Sequence, residues 1–475
     1  MDTKERHLLA LGSVLPGTHA VYFRRGRDYM KLKWIGKIAF FVTLLLGAAT
    51  VMLFGQNRAR PGDIYEMAVQ ANRGESFRNG RQIFRSDTFG DEVFWGDTLK
   101  LHQAIQGTRF GGVGNGVSPR QALALGLKVD VNALPNPLQN QLRRGQVDLD
   151  DPAVTLALLR LNAVLGVKGF FTQDNQRLRS IGITCAFCHS TVDDSFAPGI
   201  GKRLDGWANR DLNVGAIVAA APDLSAFANA LQVDQATVRN VLNSWGPGKY
   251  DAELNFDGKA FRPDGKTAAT LIPPAYGKAG INLHTWTSGH GNVTYWNAYV
   301  AVTQMHGQGT FYDPRYNDPQ QFPVAARTGI WNTRPKGVDL VTPKLPDLHT
   351  YQLALVAPKP PAGSFNAAAA ARGRVLFNGK ARCATCHVPP LFAEPGWNAH
   401  LPAEIGVDDF QASRDPEGAY VTQRLAGLWA HQKGGFYHDG RFATLLDVVN
   451  HYNAHFNLGL TQPERNDLVE YLKSI

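Results

Sequence analysis

"TCAFCHS", residues 184–190, sets two cysteines three positions apart and follows them at once with a histidine. "RCATCHV", residues 382–388, repeats the arrangement, and Cys185, Cys188, Cys383 and Cys386 are the only cysteines in the chain. On one helical turn, residues i and i+3 project from neighbouring positions and i+4 stands beside them. Two thiols so placed meet the two vinyl groups of one haem while the histidine points at its iron. The spacing therefore predicts two covalently bound c-type haems, attached through Cys185 and Cys188 and through Cys383 and Cys386. His189 and His387 are the expected proximal iron ligands.

Other uses of paired cysteines fit less well. A structural zinc site wants its two pairs roughly 15 to 20 residues apart, whereas Cys185 and Cys383 are 198 apart. Redox-active disulfides suit an oxidising compartment. Neither use accounts for a histidine after both pairs.

At 475 residues and 44% hydrophobic, the chain can bury substantial cores, which excludes a disordered or fibrous class. The net charge of +9 is unevenly spread: eight basic against three acidic residues place +5 of it in the first 37 positions. A nucleic-acid binder concentrates Lys and Arg on its folded part, so no nucleic acid is expected. The charge instead flanks "IAFFVTLLLGAATVMLFGQN", residues 38–57, an uncharged run of 20 bounded by Lys37 and Arg58 and long enough to cross a bilayer. With the basic flank in the cytoplasm, residues from about 58 onward face the periplasm of a bacterium. A cleaved signal peptide competes, but its expected n-region is shorter and no convincing A-x-A site precedes Arg58.

The expected organisation is a basic segment 1–37, an anchor 38–57, an arm 58–150, a first haem domain 151–342 with a loop-rich insertion, a proline-rich linker 343–364 and a second haem domain 365–475. In the arm, "IFRSDTFGDEVFW" (83–95) reads as a packing segment. Asp151-Pro152 predicts a helix start before "AVTLALLRLNAVL", with Gly166 as its stop. "NAAAAARGRVLF" (366–377) predicts a helix with an Asn cap, ended by Gly379. Thr461 and Glu464 form a capping box for a last helix that turns Leu468, Tyr471, Leu472 and Ile475 to a core. The chain after residue 150 is thus expected to be mainly α-helical and twofold.

The sixth iron position decides function, since an iron with two strong protein ligands carries electrons and an open one binds peroxide or dioxygen. Beyond the anchor only Met67 and Met305 could supply methionine. No histidine follows His189 before His284, which favours an open first haem. Lys202, Arg203 and Arg210 follow that motif as candidate partners of haem propionates. Near the second motif the choices are His438, His451, Tyr452 and His455. Glu253, Asn255, Asp257, Gly258 and Asp264 follow part of a calcium-loop spacing, with Glu in place of the first Asp.

Four stretches carry a family resemblance: "KLPDLHTYQLALVAPKPP", "ARGRVLFNGKARCATCH", "GGFYHDGRFATLLDVVNHYN" and "LGLTQPERNDLVEYLKSI". Residues 343–475 resemble the C-terminal haem domain of bacterial di-haem cytochrome c peroxidases and their relatives, the methylamine-utilisation di-haem enzyme and the haem rubber oxygenases. Residues 180–210 resemble them loosely. The resemblance implies two cytochrome c-like helical domains, one haem handling electrons and the other meeting an oxidant, and in relatives a calcium ion between domains. It also implies that one of Trp207, Trp245, Trp286 and Trp296 relays electrons. In the peroxidases, a methionine fourteen residues after the histidine of the His-Asp-Gly motif ligates the electron-transferring haem; here that count from His438 reaches Tyr452. Tyrosine there resembles the methylamine-utilisation enzyme, and His438 matches a ligand histidine of the rubber oxygenases, so both stand as candidates. The peroxidase histidine that gates the reactive haem has no counterpart near His189, which implies a reactive haem needing no reductive activation.

These expectations amount to a membrane-anchored periplasmic oxidoreductase. Its partners would be a small redox protein and peroxide or dioxygen. Alternatives are a non-enzymatic electron carrier and an oxygenase acting on an organic substrate.

Overall fold

The computed structural model describes residues 61–174, 176–289 and 291–475; the expected anchor at 38–57 lies outside them. Among the described residues the fold is mainly helical, and its sheets are all two-stranded. Among the described residues no helix is long and apolar enough to cross a membrane.

Helix α1, Pro61–Ser86, leads into the aromatic segment. Phe84 and Phe89 enter one apolar core and Trp95 another, so this segment does pack between two parts of the interior. Helix α2, Pro152–Arg160, starts as expected, with the Asp151 side chain accepting from Ala153 N–H. It stops before Gly166 because Asn162 adopts a left-handed conformation, φ 51°.

The chain then forms an antiparallel pair, β1 (Val167–Phe171) and β2 (Leu178–Ile183), that delivers the first motif. The motif turn, α3 (Ala186–His189), presses on Gly166, where an added Cβ would lie 2.1 Å from the Phe187 Cα. After it, β3 (Ser190–Val192) pairs with β4 (Arg203–Asp205). The buried Asp205 carboxylate accepts from Ser190 at 2.7 Å and Tyr351 at 2.6 Å and binds Arg85 and Arg203. One carboxylate thereby ties the motif to the N-terminal helix and to α5 (Leu345–Ala354). That helix, inside the proline-rich stretch, buries Leu345, Leu348 and Tyr351 in the core shared with Phe84 and Phe89. Between them, α4 (Val293–Tyr299) runs into a π-helical turn, Val300–Gln304.

A fully buried guanidinium holds the loop-rich region to the C-terminal part. Arg414 binds Asp257 at 2.7 Å and Asp251 at 2.9 Å, and donates to the Ala268 and Lys259 carbonyls. Each donor meets an acceptor, which is what makes a buried ion cluster tolerable.

The second motif sits on two crossed helices, α6 (Ala367–Asn378) and α8 (Gln462–Ser474), with α7 (Leu445–His455) alongside. Asn366 caps α6 and Thr461 with Glu464 closes the capping box of α8, both as expected. Leu468, Tyr471 and Leu472 meet Phe377 in the core beneath the motif. Helix-interior glycine costs about 1 kcal/mol relative to alanine, and Gly373 repays it through contact: a Cβ there would lie 2.0 Å from the Asp467 carbonyl oxygen. Gly373→Ala is therefore expected to destabilise the protein by about 1–3 kcal/mol, despite its better helix propensity. Chemical denaturation checks the sign.

Two candidate haem sites

Each motif opens onto its own cavity. Cys185, Cys188 and His189 line one of about 140 Å³; Cys383, Cys386 and His387 line one of about 380 Å³. In both, the motif histidine is engaged on the same side of its ring. His189 Nδ1 donates to the Pro273 carbonyl at 3.1 Å, and His387 Nδ1 donates to the Phe392 carbonyl at 3.3 Å. Burial lowers both imidazoles to about 4, so they are neutral at pH 7. A neutral ring that donates from Nδ1 carries its lone pair on Nε2, the state a metal ligand requires.

Buried polar atoms without partners gather around these cavities: His284 Nδ1 and Glu253 Oε2 at the first, His438 Nε2 and His431 Nδ1 at the second. Native interiors leave few such atoms unpaired. Together with the thiol pairs and oriented histidines, they fit a haem in each cavity. Two Cys-x-x-Cys motifs are thus consistent with two covalent haems.

The structure sorts the remaining candidates. His438 and Tyr452 both line the second cavity. His438 is buried, stacks on Tyr420 and leaves Nε2 free, while Tyr452 lies beside Tyr437 with ring centroids 6.2 Å apart. His451 and His455 instead give Nε2 to the carbonyls of Ile405 and Glu404, which occupies them. At the first cavity, Met305 is on the wall and Met67 is exposed. Among the described residues, at most one methionine is therefore at hand.

The expected propionate partners separate. Lys202 is exposed, Arg203 is neutralised by Asp205, and Arg210 lines the second cavity although it follows the first motif. The calcium-loop residues do not converge into a shell. Asp257 is bound by Arg414, and Asp264 lies at the surface, accepting from Lys266 N–H at 3.2 Å. Arg414 supplies the positive charge there. Of the tryptophans, Trp286 stands on a wall common to both cavities, Trp296 lines only the first, Trp245 packs in a core, and Trp207 meets Tyr276 and Trp429.

Three residues were not connected with these cavities by the sequence reading, which placed Glu253 in a calcium-loop spacing and His284 only as the next histidine after His189. Lys278 and His284 line both cavities, and Glu253 lines the first. Lys278 lies in a stretch whose prolines and glycine signal only a turn, and His284 is too far from His189 in sequence to be linked with it.

No family model and no curated protein matches the chain. Among solved structures, hydrazine synthase of Kuenenia stuttgartiensis, pressurised with 20 bar xenon, is 19% identical with a TM-score of 0.27, over 47% of this chain and 86% of that chain. A likeness of that degree decides nothing about the site.

Burial pushes the Glu253 carboxyl up to about 8 and the Asp251 carboxyl up to about 6. Both native values lie above the unfolded carboxyl range near ~4. The stability linked to these protons is fully present below that range and is lost as pH rises through about 6 and then about 8. Melting temperatures between pH 5 and 9 should fall for the wild type, and Glu253→Gln should flatten the upper part of that fall.

Proposed function

We propose that this chain is a membrane-anchored, periplasmic di-haem c-type cytochrome and an oxidoreductase of the peroxidase-like kind. In this reading the haem on His189 faces a small oxidant, peroxide or dioxygen, and the haem on His387 exchanges electrons with a small redox protein. The observation that carries it is the repeated constellation of a thiol pair and a neutral histidine fixed through Nδ1, each on its own cavity. The family resemblance of residues 343–475 supports the twofold haem-domain arrangement and the His438 or Tyr452 ligand. Of these two, His438 has the free buried nitrogen.

When bound, a c-type haem supplies one-electron redox chemistry and an iron position for small ligands. The protein's residues supply the rest. Pro273 and Phe392 orient the proximal rings. Glu253, an acid raised toward neutrality by burial, holds a proton on the wall of the first cavity, where a reaction consuming protons would draw on it. Trp286 offers an indole on the wall between the two sites, with its N–H fixed to the Leu271 carbonyl at 2.8 Å.

A second reading, an electron carrier without enzymatic activity, is favoured by one observation: Met305 and His284 both line the first cavity and are donors able to close its iron. Purified protein separates the two. The oxidoreductase reading expects two haems per chain by alkaline pyridine assay, retained after acid–acetone extraction, and one high-spin centre in the oxidised state that responds to peroxide and cyanide. A wholly low-spin, unresponsive spectrum would establish the carrier.

A further inference from the structure

The lining of the second cavity holds more positive charge than the polypeptide neutralises. Arg210, only 8% exposed, lines the second cavity; its Nη1 reaches the Lys433 carbonyl at 3.4 Å and its Nε has no partner. Arg424 lines the same cavity, donates Nη1 to the carbonyls of Gly277 and Ala279, and also leaves a buried Nε unpaired. Those carbonyls flank Lys278, whose side chain lines both cavities. Among the described residues no carboxylate pairs with any of the three. The one acid on the second cavity's wall, Glu404, is engaged by His400 at 2.9 Å. Burial pulls Lys278 down to about 8 and Arg210 down to about 10. Charge drawn out of water without a counter-charge is costly, so three cations on one cavity call for an anionic ligand.

We propose that Arg210, Lys278 and Arg424 form a carboxylate cradle for the propionates of the haem held by Cys383, Cys386 and His387. This rests on the di-haem reading above. Guanidinium N–H groups match a carboxylate's two oxygens, and the lysine adds a point charge beside them. Arg210 and Lys278 come from the part of the chain that carries the first motif, so the second cofactor is gripped by residues far upstream of its own attachment point.

The test is a potentiometric titration of the full-length holoprotein, with the second haem's couple identified by its loss in the Cys383→Ala/Cys386→Ala variant. Lys278→Met and Arg424→Met should each shift that couple to lower potential, because an uncompensated carboxylate then faces the iron. Lys278→Arg and Arg424→Lys should hold it near the wild-type value. Should Arg424→Met fail to fold, Lys278→Met, on a loop, carries the measurement. Added acetate should leave the wild-type couple in place, since the cradle is already filled by the cofactor. Two haems per chain with an unmoved couple in the charge-removing variants, or a wild-type couple displaced by acetate, would overturn the cradle alone. A chain with no haem on the second motif would overturn the di-haem reading as well.

Discussion

A hydrogen bond from ring nitrogen to backbone carbonyl governs each site, because it fixes both the plane of the imidazole and the nitrogen that can bind a metal. The two carbonyls differ in origin. Phe392 lies five residues past His387, so the second histidine is oriented by a local turn. Pro273 is 84 residues past His189, so the first is oriented only when the loop-rich region has closed over the motif. The first histidine is set by tertiary packing and the second by local geometry.

That closing segment does more than orient one ring. Past Pro273 it presents Lys278, His284 and Trp286 to both cavities. It is held at several points: the Trp286 carbonyl accepts from Val421 N–H at 3.1 Å, and the Asp415 carboxylate accepts from Thr287 at 2.7 Å and Gly289 N–H at 3.0 Å. The Leu271 peptide binds on both sides, its N–H to the His438 carbonyl and its carbonyl to the Trp286 indole. A wall anchored this way keeps a fixed spacing between the two cavities.

The parts legible in the sequence were those encoded by adjacent residues. The thiol pairs with their histidines, the Asn366 cap and the Thr461–Glu464 box all depend on neighbours within four positions; the structure forms both caps and sets each thiol pair and its histidine on one cavity. The end of α2 was misread because the apolar pattern continues past Asn162, and only the backbone at that residue reveals the stop. Arg210 illustrates the larger limit. It follows the first motif by 21 positions yet lines the second cavity, and no local signal encodes that choice. Glu253 and Asp257 looked like ligands of a metal because the cation that meets Asp257, Arg414, comes from more than 150 residues downstream.

Arg414 has a consequence for how the polypeptide can be divided. It is wholly enclosed by Asp251, Asp257 and two carbonyls from residues 259 and 268. A cut anywhere between would strand a bare guanidinium on one fragment and a pair of bare carboxylates on the other. The halves resemble separate modules in sequence, but this enclosed ion cluster couples them, and shuffling one of them alone would have to replace the plug first.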